Sequence, residues 1–183
     1  NIQNKGETDS LKDKEKTYSI LEDTNSFNSL IVVKNSSGEE IKRISVARKA
    51  TKIIKSEKNQ RLFVLCGGYF GSVWEIDPKL NQVVRKFSTA WNPTDVALSQ
   101  DEKYLYVTSG KLQKFSLESD VLIETELPSE VRYLEAIHVL SSKIIFNAIN
   151  KTGIESSYIL NKQQNKIEKY NELVSYKKST DQK

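Results

Sequence analysis

Short apolar runs alternate with polar turns along most of the chain. The clearest example is an apolar run at 94–98, a polar turn, and a run of β-branched and aromatic residues at 104–108. Weaker copies of this pair lie upstream at 50–57 and 62–65, and downstream at 136–146. Runs of this length and composition predict strands. Strand-only repeats of roughly 40–45 residues are typical of propeller blades.

We therefore predict an all-β fold, a β-propeller-like array of about four four-stranded units. The second unit has predicted strands at 51–55, 62–66, 72–76 and 83–87. The third has predicted strands at 94–98, 104–108, 111–115 and 121–126. The fourth has predicted strands at 135–140, 144–149, 156–160 and 166–170. The first unit offers only 18–21, 30–33 and 41–44, and it lacks an opening strand.

The ends of the chain are polar and carry charges of both signs. We predict a disordered polar leader at 1–16, a propeller-like domain at 17–176 and a polar tail at 177–183. Three arrangements of the units remain open: a small closed ring, a ring completed by a second chain, and a partial propeller from a longer chain. In the first arrangement, Leu173–Tyr176 would supply the missing strand of the first unit.

The stretch from Pro93 to Thr108, which contains Tyr106-Val107-Thr108, resembles the YVTN-type β-propeller repeat. The resemblance is strongest over residues 50–127. A typical Asp at the end of the third strand is Asp77 in the second unit. The matching positions in the other units hold Ser116, Asn161, and Asn35 or Lys34. The resemblance implies a bacterial, extracytoplasmic protein that is secreted or anchored as a lipoprotein.

One face of such an array carries the inter-unit loops and the turns between second and third strands. Here these segments are 47–50, 67–71, 88–93, 109–110 and 128–133. They supply the predicted binding residues, which combine aromatic anchors with polar and basic side chains: Tyr69, Phe70, Trp91, Asn92, Arg48 and Arg132. The alternative is that Phe70 and Trp91 pack beneath their own loops.

The net charge of +4 arises from a local bias, because residues 42–61 hold eight basic residues against Glu57. Such a stripe could bind an anionic surface or polymer. The residues in question are Lys42, Arg43, Arg48, Lys49 and Lys52. Alternation of side chains along strands argues for a scattered, solvated set instead. Specific nucleic-acid binding is not expected, since no motif for it accompanies the charges.

The residues available for chemistry are few. A single cysteine, Cys66, excludes an internal disulfide, and we predict that it is a small buried hydrophobe on a strand. With one histidine, His138, we expect no metal site and no cofactor. No run approaches the ~20 apolar residues that cross a bilayer, so no membrane span is predicted.

The combined pattern predicts a non-catalytic interaction module that recognises a partner through loops on one propeller face. The expected partner is a protein or, by self-association, a second copy of the chain. One alternative is an assembly protein whose open sheet edges pair with another chain. Another is a small-molecule site at the ring axis, where Lys52, Asp95, Glu135 and His138 share comparable strand positions. That site would require an enclosed polar pocket.

Overall fold

The computed structural model describes residues 9–13, 15–22, 27–119, 121–140 and 143–170. These residues form four four-stranded antiparallel sheets, in which each strand pairs with its neighbours in sequence. We call the sheets blades 1 to 4, in chain order. This architecture confirms the predicted fold class.

The strand bounds follow the predicted repeat closely. Blade 1 consists of β1 (Ser10–Asp13), β2 (Lys16–Glu22), β3 (Ser29–Lys34) and β4 (Glu40–Val46). Blade 2 consists of β5 (Ala50–Ser56), β6 (Arg61–Cys66), β7 (Ser72–Asp77) and β8 (Gln82–Ser88). Blade 3 consists of β9 (Asp95–Leu98), β10 (Tyr104–Thr108), β11 (Leu112–Ser116) and β12 (Leu122–Thr125). Blade 4 consists of β13 (Val131–Val139), β14 (Ile144–Asn150), β15 (Glu155–Asn161) and β16 (Lys166–Lys169).

The first strand of each blade is the inner strand of the array. Contacts between inner strands run from β1 to β5, from β5 to β9 and from β9 to β13. Within the described residues, β13 makes no comparable contact with β1, so this part of the chain forms an open array of four blades. That part of the chain also contains no helix long and apolar enough to cross a membrane.

The hydrophobic core is divided into three layers, one between each pair of successive blades. Strand β6 shows how alternation builds two layers from one strand. Leu62, Val64 and Cys66 face blade 1, whereas Phe63 and Leu65 face blade 3. A strand that is buried on both faces reads as a continuous apolar run. Full burial confirms that Cys66 is a small core hydrophobe.

The turns between third and fourth strands share one stabilising device, a side-chain oxygen that accepts backbone N–H bonds. Asp77 Oδ1 accepts from the amide of Lys79 at 2.8 Å. At the matching positions, Asn35, Ser116 and Asn161 each accept from amides two to four residues further on. The drift from Asp to Asn or Ser therefore leaves the turn intact, because each of these side chains supplies the acceptor.

The first blade differs from the prediction, because β1 supplies the opening strand that the sequence appeared to lack. Residues 10–13 and 16 are therefore part of a sheet and not of a disordered leader. The Asp9 carbonyl oxygen accepts the Ile20 amide at 2.9 Å, and Leu11 packs on the core between blades 1 and 2. Lys55 also forms a salt bridge with Asp13 at 2.8 Å. The strand was missed because only one of its four residues is apolar.

Other boundary predictions fall partly outside the described residues. The segments that lie outside the described residues are 1–8, the proposed strand at 173–176 and the tail at 177–183. The opening strand of blade 4 begins at Val131, four positions before the predicted start at 135. Register shifts at Val131/Tyr133 and Leu134/Ala136 interrupt the regular alternation on which the prediction rested.

We expect the fold to lose stability at alkaline pH. Burial raises the pKa of the Cys66 thiol, and separately that of the Tyr18 phenol, to about 12. The folded state thus holds both protons more tightly than the unfolded chain does. This contribution is complete below the ordinary thiol value of 9.0 and is lost as the pH rises towards 12.

The raised pKa of the Cys66 thiol alone should lower the free energy of unfolding by about 2 kcal/mol as the pH rises from about 8 to about 10.5. Urea unfolding at both pH values checks this. The Cys66→Ala variant, which has no thiol, should lose less over the same interval. Equal losses in the two proteins would contradict the assignment to Cys66.

Candidate binding face on the inter-blade loops

One face of the array carries the connections between blades and the turns between second and third strands; we call it the loop face. Backbone hydrogen bonds join successive segments of this face. The Gly67 amide donates to the Lys49 carbonyl oxygen at 2.8 Å, and the Asn92 amide donates to the Gly68 carbonyl oxygen at 3.2 Å. Three connections are therefore held together as one surface.

Three large aromatic side chains form a contiguous cluster on the loop face. The ring centroid of Tyr69 lies 5.6 Å from that of Phe70 and 5.8 Å from that of Trp91, with interplanar angles of 69° and 62°. All three are well exposed, at 68%, 83% and 62% for Tyr69, Phe70 and Trp91. Phe70 and Trp91 thus do not pack beneath their loops. We call these three residues the aromatic cluster.

Two further exposed apolar residues lie on the same face and were missed in the sequence. Phe27, which is 86% exposed, sits between β2 and β3, and Ile154 sits between β14 and β15. Both occupy the type of turn that holds Tyr69 and Phe70 in blade 2. Every strongly exposed large aromatic residue that the structure describes therefore lies on the loop face. The position of Phe27 and Ile154 between the second and third strands of a blade is the sequence signal that could have identified both.

Gly71 allows the two aromatic loops to approach closely. A Cβ atom at this position would lie 2.4 Å from Pro93 Cδ, 2.4 Å from Thr89 Oγ1 and 2.7 Å from the Ala90 carbonyl oxygen. No side chain fits in this space. The Thr89 amide also donates to the Gly71 carbonyl oxygen at 3.0 Å. The turn that carries Phe70 is consequently packed against the connection that carries Trp91.

Backbone conformation places two basic residues beside the aromatic cluster. Lys49 has φ of 56° and Gly68 has φ of 93°, in the left-handed region that few side chains favour. A Cβ on Gly68 would lie 3.7 Å from Lys49 Cδ and 3.8 Å from Arg48 Nε. Arg48 and Lys49 therefore flank the turn that holds Tyr69. Of the predicted site residues, Arg48 is brought to the blade 1 side of the cluster.

A cleft of about 690 Å³ opens beside Trp91. Its walls come from the β8–β9 connection, the β10–β11 turn and the first residues of β13. The lining residues are Ala90, Trp91, Asn92, Thr94, Gly110, Lys111, Arg132 and Tyr133. The cleft thus joins three predicted site residues, Trp91, Asn92 and Arg132. Thr94, Lys111 and Tyr133 were missed because their approach depends on how blades 3 and 4 pack.

The structure corrects the placement of Arg132 and Tyr133. Both were assigned to a loop at 128–133, but they are the second and third residues of β13. The register shift between Val131 and Tyr133 falls at this point. Such irregularities re-aim a side chain, and Arg132 here borders the cleft and is exposed.

The wall of the cleft is braced by a polar network. Gln113 Oε1 accepts the Ala90 amide at 2.6 Å, while Gln113 Nε2 donates to Glu124 Oε1 at 2.8 Å. Lys111 Nζ donates to Glu124 Oε2 at 2.8 Å. This hydrogen bond raises the pKa of Lys111 and lowers that of Glu124. The positive charge of Lys111 is therefore already neutralised within the protein.

The predicted basic stripe does not form a single patch. Arg43 forms a salt bridge with Glu40 at 2.7 Å, and Lys52 forms one with Asp95 at 2.6 Å. Arg43 and Lys42 pair with adjacent residues of β3 and so point to opposite faces of blade 1. Of the five residues in the prediction, only Arg48 and Lys49 belong to the loop face.

The residues predicted for an axial site do not enclose a pocket. Lys52 and Asp95 pair with each other, and Asp95 Oδ2 also accepts the Ile137 amide at 3.0 Å. Glu135 and His138 are exposed. The enclosed polar pocket that the axial small-molecule hypothesis requires is therefore not formed by these four residues.

The fold resembles several solved structures, among them a β-propeller domain. Hydrazine synthase from Kuenenia stuttgartiensis superposes with a TM-score of 0.69 at 17% identity, over 83% of this chain and 50% of that one. The β-propeller domain of the trilobed protease from Pyrococcus furiosus, which has an open velcro topology, superposes with a TM-score of 0.63 at 18% identity. The match covers 91% of this chain and 57% of that one. U3-55K superposes with a TM-score of 0.63 at 12% identity, over 84% of this chain and 47% of that one.

These identities show the fold alone, which is a β-propeller. The chain spans about half the length of these three structures. No protein-family model matches the sequence, and no curated protein does either. The resemblance to YVTN-type repeats accordingly stays a prediction.

Proposed function

We propose that this propeller array is a non-catalytic interaction module that recognises a protein partner through its loop face. The observation that carries the proposal is the aromatic cluster, in which the ring of Tyr69 contacts those of Phe70 and Trp91 and all three are largely exposed to solvent. Aromatic side chains are enriched among residues that dominate binding energy at protein interfaces. A contiguous exposed apolar patch of this kind marks interaction sites on soluble proteins.

The way in which the cluster is held also supports recognition. Its two loops are joined by backbone hydrogen bonds and by the close approach at Gly71. Side chains on a surface that is already ordered lose less conformational freedom when a partner binds. The loop face therefore has both the apolar anchors and the rigidity of a preorganised binding surface.

The proposal includes a relation to YVTN-type repeats and a position outside the cytoplasm. Its support is the sequence pattern over residues 50–127, which includes Tyr106-Val107-Thr108 and the turn at Asp77. Self-association through open sheet edges is the second candidate, because the described blades form an open array whose end blades have no partner blade on one side.

The Tyr69→Ala/Trp91→Ala variant tests the proposed function. Peptides would be selected from a random display library on the unaltered protein, and their binding to the variant measured. We expect binding to weaken by about tenfold or more. The free energy of unfolding should change by less than about 1 kcal/mol, because both rings are largely exposed.

Leu80→Ala is the matched control, because Leu80 is exposed to the same 62% as Trp91 but lies in the β7–β8 turn on the opposite face. Peptides should bind this variant as they bind the unaltered protein. If the two variants lose binding equally, or if no peptide depends on the aromatic cluster, the proposed function is wrong. A mass that doubles with concentration in both variants would indicate self-association through the sheet edges.

A further inference from the structure

Positive charge on the loop face is left unneutralised on both sides of the aromatic cluster. Arg48 and Lys49 flank it on the blade 1 side, and Arg132 borders the cleft on the blade 4 side. None of the three forms an ion pair with another residue that the structure describes. By contrast, Lys111, in the wall between them, is paired with Glu124.

The carboxylates at the end of β12 pair with Lys111 and not with Arg132. Glu124 and Glu126 both interact with Lys111, at 2.8 Å and 3.8 Å. Glu130 precedes β13 and forms no ion pair with Arg132 among the described residues. Across the loop face from blade 1 to blade 4, a basic pair is therefore followed by the aromatic cluster, then by the cleft, and finally by Arg132.

Resting on the function proposed above, we propose that the loop face binds an extended acidic peptide segment with one large apolar side chain. The apolar side chain enters the cleft beside Trp91. Carboxylates on either side of it pair with Arg132 at one end and with Arg48 and Lys49 at the other. Arg residues favour carboxylates because the guanidinium group can donate two parallel hydrogen bonds.

The placement of the basic residues at opposite ends of the loop face favours a peptide over a compact ligand. Arg48 lies in the connection between blades 1 and 2, whereas Arg132 belongs to the first strand of blade 4. A compact molecule that fills the cleft of about 690 Å³ contacts Trp91 and Arg132 but leaves Tyr69, Phe70 and Arg48 unused. An extended chain crosses all of them, since each residue adds about 3.3 Å.

The arrangement of the rings favours a peptide over a nucleic acid. Single-stranded nucleic acids bind by stacking successive bases on aromatic faces along a continuous basic groove. In the aromatic cluster, the rings of Phe70 and Trp91 are inclined by 69° and 62° to that of Tyr69. Inclined rings form apolar walls suited to a side chain, and the three unpaired cations do not make a continuous groove.

The test uses the peptides selected from the display library, prepared as synthetic peptides and measured by fluorescence anisotropy. Selected peptides should be rich in Asp and Glu around one Leu, Phe or Trp. Replacing their acids by Lys, or their apolar residue by Ala, should weaken binding about tenfold. Binding should also weaken as salt is raised from about 0.05 to about 0.5 M, because exposed charges are screened.

Arg132→Gln and Arg48→Gln should each weaken binding of the acidic peptides about tenfold, and leave binding of a neutralised peptide unchanged. Lys79→Gln, which removes an exposed cation from the opposite face, is the matched control and should have no effect. Circular dichroism and urea unfolding would establish that each variant is folded.

The outcomes separate this inference from the proposed function. Selected peptides that need Tyr69 and Trp91 but are neutral or basic would leave the proposed function standing and overturn the inference. No dependence on the aromatic cluster would overturn both. Binding of heparin or polyuridylate, without binding of acidic peptides, would show a polyanion site and would also overturn the inference.

Discussion

The Asp95→Ala variant should lose about 3 kcal/mol of unfolding free energy, because one carboxylate joins three successive inner strands. Its Oδ1 accepts the Val96 amide at 2.8 Å and the Lys52 ammonium at 2.6 Å. Its Oδ2 accepts the Ile137 amide of blade 4 at 3.0 Å. Alanine would leave two buried amides without acceptors, and each unsatisfied group costs about 1–3 kcal/mol.

Urea unfolding at neutral pH would measure this loss. Asp95→Asn should lose less, because the amide oxygen still accepts a hydrogen bond. The matched control is Asp101→Ala, which removes a carboxylate from an exposed turn and should change stability by less than about 1 kcal/mol. A loss at Asp95 no larger than that at Asp101 would show that the inter-blade bonds contribute little.

The same device occurs at the corresponding position of blade 1. Asp9 Oδ1 accepts the Ser10 amide at 3.0 Å, and Asp9 Oδ2 accepts the Ile53 amide of blade 2 at 2.8 Å. In blade 2 the corresponding residue is Lys52, which donates to Asp95 in blade 3. Each of the three junctions between inner strands therefore contains a polar contact from this one strand position.

The Gly71→Ala variant should lose about 3 kcal/mol of stability and also weaken binding at the loop face. Thr89 Oγ1 can rotate away from the new methyl group. Pro93 Cδ, in a ring, and the Ala90 carbonyl oxygen, in the backbone, cannot. The two loops must therefore separate, which moves Phe70 and Trp91 apart and widens the cleft.

Gly110→Ala is the control within the same cleft, since a Cβ there meets no atom within 4 Å. It should change stability by less than about 0.5 kcal/mol. Thermal and urea unfolding would give the stabilities, and anisotropy with a selected peptide would give the binding. Equal stability of the two alanine variants would mean that the loops can separate without cost.

Most strands of this protein could be predicted because their signals are local. The short apolar runs of β10 and β14 and the turn at Asp77 are properties of a few consecutive residues. Strand β1 escaped the prediction because its stability comes from other strands. Its single apolar residue, Leu11, packs on the core formed with blade 2, and Asp13 pairs with Lys55.

The candidate site could be predicted in part. The sequence placed Tyr69, Phe70 and Trp91 on one face because connection type alone determines the face. It did not reveal that Gly71 lets their loops touch, or that Arg132 is exposed beside Thr94 and Tyr133 in a cleft. Both features depend on how closely neighbouring blades pack, which no local pattern in the sequence reports.

The amino-acid sequence by itself therefore determined the all-β class, the repeat of four strands and the positions of the turns. These follow from short apolar runs and turn chemistry, which act over a few residues. Only the tertiary structure decided that the described blades form an open array, that Lys52 is paired with Asp95, and that Arg48 and Arg132 form no ion pair with another described residue. Each of these depends on side chains about 40 or more positions apart, whose meeting is set by how the blades pack.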